Sequence, residues 1–366
     1  MPIVAPPARV LVTGASGYIA AWVCKTLLDK GYSVVGTVRS DSKGEKLKEL
    51  FKDYGDKFSY TIVEDISKDG AFDQAVVGVD AVQHTASPVT FEADDPQELI
   101  GPAVKGTTSV LESVKAYAPG VKRVVLTSSI GSIYHQKTPP VYDESDWNVD
   151  APKAIEKFGR NAPGPAKYSA SKVLAERAAW EFMDKNKDSI NFDLVAMNPS
   201  FVWGPLLGPV KSEKELNGTI NFFRGHTNIR DPAPTREQLT APGSCVDVRD
   251  VALVHTQALS SPEAGGERFI VNSGWSFPFQ QLSKPRALTN LVVWRESGSY
   301  TYQDILDLIH EHGDHPDVPK GFPGAGKDVP RSSYLNAKAE KTFGIKFRPL
   351  QEIAVDTLTS LRENGL

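Results

Sequence analysis

Near its N-terminus the chain carries, at positions 9–20, the stretch RVLVTGASGYIA. The apolar run that opens it is typical of a short buried strand, and the turn that follows contains Gly14 and Gly17. Apolar residues then recur at helical spacing until Gly31. A glycine turn between a strand and a helix lets the backbone approach a phosphate, which the helix N-terminus attracts. We therefore expect a dinucleotide-binding turn here; a glycine turn without a ligand is the alternative.

The first half of the chain alternates β-rich runs with helical stretches. Strands are predicted at 33–38, 58–63, 81–86, 121–127 and 192–197, and helices at about 94–117 and 166–187. This alternation predicts an α/β fold with a Rossmann-like doubly wound parallel sheet, whose ligands lie beyond the carboxyl ends of the strands. The second half is richer in Pro and Gly, and we expect it to form a smaller C-terminal substrate lobe.

The predicted domains divide the chain unevenly. We expect residues 1–198 to form the dinucleotide-binding Rossmann domain, with 246–272 returning to it. Residues 199–245 and 273–366 are then expected to form the substrate-binding lobe.

Charge and composition exclude several classes of partner. The 366 residues include 41 basic and 45 acidic side chains, a net charge of −4, without a lysine- or arginine-rich run. Nucleic acid and anionic membranes are therefore not expected as partners. Cys24 and Cys245 cannot form a disulfide framework, and the N-terminus lacks the pattern of a secretion signal. We expect a cytoplasmic protein, and the sequence carries no signal for an oligomeric state.

A tyrosine and a lysine stand four residues apart in the motif YSASK at 168–172. On a helix, Tyr168 and Lys172 share a face about 6 Å apart along the axis. The free phenol has a pKa of about 10, and we expect the ammonium and an oxidised nicotinamide to lower it. Tyr334 and Lys338 have the same spacing, but we interpret them as a surface pair.

Two strand ends carry further candidates. A serine hydroxyl after the predicted fifth strand, where Ser128 and Ser129 lie, can donate to a substrate carbonyl oxygen. We interpret Ser128 as structural. After the second strand, Arg39 is suited to a 2′-phosphate, with Lys46 further along, and therefore favours NADPH over NADH despite the nearby Asp41.

In order and spacing, these motifs resemble the extended short-chain dehydrogenase/reductases, and among them the dihydroflavonol-reductase-like carbonyl and aldehyde reductases, including those of fungi and yeasts. The resemblance covers almost the whole chain. It is carried by VTGASGYI (12–19), GTVR (36–39), VEDI (63–66), HTASP (84–88), VVLTSS (124–129), YDESDW (142–147), YSASK (168–172) and NPSFVWGP (198–205).

The resemblance implies NADPH-dependent reduction of a small carbonyl substrate by hydride transfer. It implies that Ser129 is the catalytic serine, Tyr168 the acid/base and Lys172 its helper. It also implies cofactor contacts along the chain, at Gly14, Ser16, Gly17, Tyr18, Ile19, Arg39, Lys46, Asp65, Ile66, Thr85, Ala86, Ser87, Tyr168, Lys172, Pro199 and Val202.

Two departures from the family pattern are visible. The third glycine position of the phosphate turn holds Ala20. Residues 274–297 interrupt a passage that the family makes almost directly, and Ser-Gly occurs at both 273–274 and 297–298. We hypothesise that this stretch is an inserted surface loop, derived from a translated intron or a gene-model error.

Three other interpretations remain open at this point. A sugar-nucleotide epimerase or dehydratase would hold NAD tightly and bind a substrate diphosphate with cations such as Arg224, Arg230 and Arg249. The second is a non-catalytic NADP-sensing protein, which would bind the cofactor without turning over a carbonyl substrate. The third is a metal site formed by the histidines at 310, 312 and 315. We expect these histidines to lie in a solvated turn and to bind no metal.

Overall fold

The protein is described by a computed structural model that covers residues 4–90, 92–138, 140–228, 233–273, 299–327 and 329–366. The hypothesised inserted loop at 274–297 lies outside these residues. None of the helices in the ranges described is both long and apolar enough to span a bilayer.

Strands and helices alternate through the first half of the chain. In the described residues the strands are β1 (Arg9–Thr13), β2 (Ser33–Val38), β3 (Phe58–Ile62), β4 (Ala81–His84), β5 (Arg123–Thr127), β6 (Val141–Tyr142), β7 (Asp193–Pro199), β8 (Phe201–Trp203), β9 (Pro242–Asp247), β10 (Arg268–Val271), β11 (Ser299–Thr301) and β12 (Ser333–Tyr334). The helices are α1 (Tyr18–Asp29), α2 (Asp41–Leu50), α3 (Gln97–Tyr117), α4 (Asp150–Phe158), α5 (Gly164–Asn186), α6 (Gly218–Thr227), α7 (Arg236–Thr240), α8 (Val248–Ser260), α9 (Tyr302–His312), α10 (Ala337–Phe343) and α11 (Leu350–Glu363).

The largest sheet has seven strands in the order β10-β7-β5-β4-β1-β2-β3. The ladders that join β3, β2, β1, β4, β5 and β7 are all parallel. The order reverses direction at β1, which pairs with β2 on one side and β4 on the other. This strand order and the parallel pairing confirm the predicted Rossmann-like fold class. Ligands of such sheets bind outside the carboxyl ends of the strands at this reversal.

The chain divides into two compact units. The first comprises Met1–His135, Asp146–Asn198 and Val251–Phe269; the second comprises Gln136–Ser145, Pro199–Asp250 and Ile270–Leu366. In the first unit a buried apolar cluster joins the sheet to helices, with Leu11 and Val124 from strands and Leu111 from α3 among its members. Burial of this β-branched and leucine-rich surface is the main favourable term in forming the sheet–helix layer.

The second unit has two small sheets. One has the order β11-β9-β8, with β8 parallel and β11 antiparallel to β9, and the other pairs β12 with β6 in parallel. Here β9 leads directly into α8. Asp250 lies in the first turn of α8, where its carboxylate accepts from the Arg348 backbone N–H at 2.7 Å.

A buried ion pair joins the amino ends of two central strands. The Arg123 guanidinium donates to both carboxylate oxygens of Asp193, at 2.7 and 2.9 Å, and also to the Ser261 carbonyl at 2.6 Å. A Cβ at Gly265 would lie 2.2 Å from an oxygen of this carboxylate, so only glycine fits there. Breaking such a pair is destabilising, because it leaves one buried charge uncompensated.

Two histidines are buried in the first unit. The His255 ring lies 2.7 Å from the Gln83 amide oxygen and 3.1 Å from the Thr127 hydroxyl. Since the amide oxygen can only accept, Nδ1 carries the proton and Nε2 accepts from Thr127. Burial lowers the pKa of His255 to about 3, and burial with the charge of Lys172 lowers the pKa of His84 to about 3.

We expect these histidines to make the protein acid-sensitive. Below about pH 6.5 the unfolded chain binds protons that the folded chain excludes, so the free energy of unfolding falls by about 1.4 kcal/mol per pH unit for each histidine. The effect extends down to about pH 3, where the folded-state histidines also protonate. Urea unfolding at pH 7, 6 and 5 measures this slope, and His255→Gln should remove about half of the histidine contribution. An unchanged slope in that variant would contradict the assignment.

Candidate active site

The phosphate turn is built by backbone contacts that only small residues permit. Gly14 has a φ of +66°, and its N–H donates to the Thr37 hydroxyl at 2.9 Å. A Cβ at Gly14 would lie 3.1 Å from Ala86, and one at Gly36 would lie 2.6 Å from the Ala15 Cβ. Glycine is therefore needed for both the left-handed backbone and the close packing.

Helix α1 begins directly after this turn. Gly17 is its N-cap residue and provides no side-chain cap. Ser16 and Gly17 are exposed, and Tyr18 and Ile19 are half-buried in the first turn. The first backbone N–H groups of a helix lack intrahelical partners and carry a partial positive charge. The turn thus fits the pyrophosphate of a dinucleotide.

The carboxyl end of β4 is held against the same turn. The Thr13 hydroxyl accepts from the backbone N–H groups of Thr85 and Ala86, at 3.1 and 3.0 Å. The Thr85 hydroxyl in turn donates to the Thr13 carbonyl. Thr85, Ala86 and Ser87 are therefore half-buried beside Gly14. His84, the last residue of β4, is buried.

A cavity of about 270 Å³ lies beside the carboxyl ends of β2 and β3. Its lining residues are Arg39, Glu64, Asp65, Ile66, Pro88 and Pro102. Three of these were predicted as cofactor contacts: Arg39 after β2, and Asp65 and Ile66 after β3. This lining of apolar and acidic groups together with one cation fits an adenosine carrying a 2′-phosphate.

Lys46 and Asp65, both predicted as cofactor contacts, lie at different places relative to this cavity. Lys46 is exposed in the second turn of α2 and does not line the cavity. Asp65 accepts from the hydroxyl and N–H of Ser67, at 2.6 and 2.9 Å, and these bonds lower its pKa. Pro88 and Pro102 were missed, because neither proline carries a chemical signal of binding in the sequence.

Three predicted catalytic residues meet in the first unit. Helix α5 carries Tyr168 and Lys172, and Ser129 follows β5 at the start of the 3-10 turn Ile130–Ser132. A hydrogen bond joins the hydroxyls of Ser129 and Tyr168. The Lys172 Nζ lies 5.8 Å from the centroid of the Tyr168 ring. Ser129 and Lys172 are buried, and Tyr168 is half-buried.

Burial dominates the acid–base properties of this cluster. It raises the pKa of Tyr168, and the hydrogen bond with Ser129 opposes that rise. Burial also lowers the pKa of Lys172 to about 8, against the opposing charge of Glu176. Desolvation, which disfavours the phenolate, is the largest influence on the Tyr168 pKa. The lowering of that pKa by Lys172 together with an oxidised nicotinamide stays a prediction.

The neighbouring serine has a different role. The Ser128 hydroxyl donates to the Glu176 carboxylate at 2.6 Å, in line with the structural role predicted for it. Glu176 and Asn198, which share this network, were not predicted. The only signal for Glu176 is its place one helical turn beyond Lys172.

Pro199 and Val202, the last predicted cofactor contacts, belong to the second unit. Pro199 ends β7 and is buried. Val202 lies in β8, and its carbonyl accepts from the Thr219 hydroxyl at 2.7 Å. Their contact with a nicotinamide stays a prediction.

The other sequence candidates take structural positions. Tyr334, predicted to lie on the surface, is buried in β12, where its ring stacks on Tyr142 at 5.3 Å; that prediction was wrong because the β6–β12 pairing covers it.

His310 bonds the Val318 carbonyl at 3.2 Å, and His315 accepts from Arg362 at 2.9 Å. The described residues contain no group of three or more side chains placed to bind a metal.

Two of the three cations considered for a substrate diphosphate already have partners. Arg249 donates to Asp247 at 2.7 Å and to Asp356 at 2.6 Å. Arg224 forms an ion pair with Glu213. Arg230, the third candidate, lies outside the described residues.

Comparison with known proteins agrees with this geometry. Residues 10–274 match the NAD dependent epimerase/dehydratase family. The ketoreductase azaE of Aspergillus niger is 39% identical over 367 residues, covering 98% of both chains. The NADPH-dependent methylglyoxal reductase GRE2 of Saccharomyces cerevisiae is 34% identical over 370 residues, covering 96% of this chain and 97% of that one.

A solved structure extends the similarity to three dimensions. The crystal structure of yeast methylglyoxal/isovaleraldehyde reductase Gre2 complexed with NADPH superimposes with a TM-score of 0.81 at 33% identity, covering 98% of this chain and 99% of that one. The chain therefore belongs to the NAD dependent epimerase/dehydratase family, the extended short-chain dehydrogenase/reductases that its motifs resemble.

Proposed function

We propose that the protein is an NADPH-dependent oxidoreductase that reduces aldehydes and ketones to alcohols, with alcohol oxidation as the reverse reaction. The observation that carries this proposal is the cluster of Ser129, Tyr168 and Lys172 beside the carboxyl ends of β4 and β5. Relatives named as a ketoreductase and an NADPH-dependent methylglyoxal reductase support it.

Each side chain of the cluster has a chemical role in this proposal. NADPH, when bound, supplies the hydride that the carbonyl carbon accepts. The Ser129 hydroxyl donates a hydrogen bond to the carbonyl oxygen and stabilises its developing charge. Tyr168 transfers its phenolic proton to that oxygen. The raised pKa of Tyr168 keeps this proton in place at neutral pH, and Lys172 stabilises the phenolate that remains.

The cofactor residues are proposed from the fit of the site. Gly14, Gly17 and the N-terminus of α1 would hold the pyrophosphate, and Ile66 would contact the adenine. Arg39 would pair with the 2′-phosphate, as a guanidinium does in a bidentate contact. A cation at this place favours NADPH over NADH.

The rival functions have weaker support. An epimerase would need cations for a substrate diphosphate, but Arg224 and Arg249 are paired with carboxylates. A non-catalytic sensor would have no use for a tyrosine that is hydrogen-bonded to a serine and has a lysine ammonium 5.8 Å from its ring centroid. We further propose that the second unit selects the substrate, in line with the predicted lobe of 199–245 and 273–366. The cytoplasmic location stays a prediction.

Absorbance of reduced nicotinamide tests the function directly. Purified protein is mixed with NADPH or NADH and with methylglyoxal, isovaleraldehyde, diketones and ketoesters in turn. We expect turnover with several carbonyls and a clear preference for NADPH. Stoichiometric NAD carried through purification would instead favour the epimerase. NADPH binding without turnover of any carbonyl would favour the sensor.

A further inference from the structure

A buried carboxylate that the proposed chemistry does not use lies one helical turn beyond Lys172. Glu176 is on α5 and is 0% exposed. Its Oε2 accepts from the hydroxyls of Ser128 and Ser132, each at 2.6 Å, and from the Asn198 amide at 2.9 Å. Its Oε1 accepts from Arg268 at 2.6 Å. A buried carboxylate with this many donors is held rigidly.

The donors to Glu176 surround Ser129. Ser128 and Ser132 flank it in the chain, and the Ser132 hydroxyl oxygen also lies 2.8 Å from the Ser129 carbonyl oxygen. The Asn198 amide lies 3.2 Å from the same carbonyl. The carboxylate therefore ties the turn that carries Ser129 to the helix that carries Tyr168.

We propose that Glu176 is a positioning residue of the reductase site: it fixes the Ser128–Ser132 turn against α5, so that Ser129 meets Tyr168, and it keeps a negative charge one turn from Lys172. This inference rests on the proposed function. Glu176 reaches the reacting groups only through its neighbours, so it acts on their position and charge.

The charges around Lys172 define what removing Glu176 should do. Tyr168 and Glu176 face Lys172 from its own helix, and the neutral His84 faces it from β4. Arg268, on β10, forms the ion pair with Glu176. Burial lowers the pKa of Lys172 to about 8, and Glu176 opposes this. Without that negative charge, Lys172 should lose its proton at a lower pH.

The first unit offers a matched control. Asp193 is also a buried carboxylate in a close ion pair, with Arg123, but the pair lies at the amino ends of β5 and β7. Asp193→Asn should reduce stability, as Glu176→Gln should, while leaving the carboxyl-end site undisturbed.

Two measurements separate positioning from plain stability. The first is the pH profile of kcat/KM for methylglyoxal with NADPH. The second is hydrogen exchange of the backbone amides in residues 128–133, which needs no activity. In Glu176→Gln we expect the alkaline limb of the kcat/KM profile to shift to lower pH by about one unit. We also expect the amides of residues 128–133 to exchange about 10-fold faster than in wild type. Asp193→Asn should change neither relative to wild type.

Each outcome bears on the proposal. An unchanged pH profile with exchange at 128–133 equal to that of Asp193→Asn would overturn it and leave Glu176 a purely structural residue. If Glu176→Gln does not fold, the double variant with Arg268→Gln, which removes both buried charges, carries the same two readings. Failure of both variants to fold would overturn the proposal as well. If wild type lacks reductase activity, the proposed function fails, and exchange alone decides whether Glu176 positions the turn.

Discussion

Tyr168→Phe is expected to lower kcat for carbonyl reduction by about 10³-fold, because a positioned proton donor contributes about 10²- to 10⁴-fold. Phenylalanine keeps the aromatic ring at this position of α5 and removes only the hydroxyl that bonds Ser129. The loss should therefore fall on kcat, with little change in folding or in the dissociation constant for NADPH. Steady-state kinetics with methylglyoxal, together with a fluorescence titration of NADPH, measure the two effects separately.

Tyr334→Phe is the matched control for this variant. Tyr334 also has a lysine four residues on, but its ring stacks on Tyr142 in the β6–β12 pair. Phenylalanine preserves that stacking, so we expect kcat within about twofold of wild type, as for a change outside the reacting groups. Equal losses in both variants would contradict the assignment of the proton donor to Tyr168. So would activity of Tyr168→Phe close to that of wild type.

Arg39→Ala is expected to raise the KM for NADPH by about 30-fold, since a charge-assisted hydrogen bond contributes about 1.5–3 kcal/mol. The KM for NADH should change little, because NADH has no 2′-phosphate for the guanidinium to bind. The variant should therefore lose most of its preference for NADPH. Parallel kinetics with the two cofactors measure the ratio, and raised salt should weaken the wild-type preference by screening the same contact.

Lys46→Ala provides the comparison for Arg39. Both were predicted as 2′-phosphate contacts, but only Arg39 lines the cavity with Asp65 and Ile66. We expect Lys46→Ala to change the KM for NADPH less than about threefold, as for an exposed charge that contributes little. A loss of affinity for both cofactors in Arg39→Ala would show that Arg39 does not distinguish them.

Much of the fold could be predicted because its signals are local. The glycine turn at 14–17 follows a strand and precedes a helix, and each of these elements has its own periodicity in the sequence. Spacing within one helix likewise placed Tyr168 and Lys172 on a common face. These relations depend on a few neighbouring residues, so no tertiary contact is needed to find them.

Other features depended on residues far apart in the chain. The hydrogen-bond network of Glu176 forms because Ser128, Asn198 and Arg268 converge on it from three strands or strand ends. The burial of Tyr334 similarly depends on Tyr142. No local pattern encodes which distant donor will reach a given carboxylate, so these roles could not be predicted.

The order of residues alone was sufficient for the Rossmann-like sheet, the phosphate turn, the family and the tyrosine–lysine pair, because short-range periodicity and motif spacing are written along the chain. The direction of the Tyr168 pKa, the absence of Lys46 from the cavity lining and the Glu176 network were decided by tertiary packing. Desolvation and hydrogen bonding depend on what surrounds a group in space, and for Glu176 those surroundings include Arg268, which lies 92 residues further along the chain.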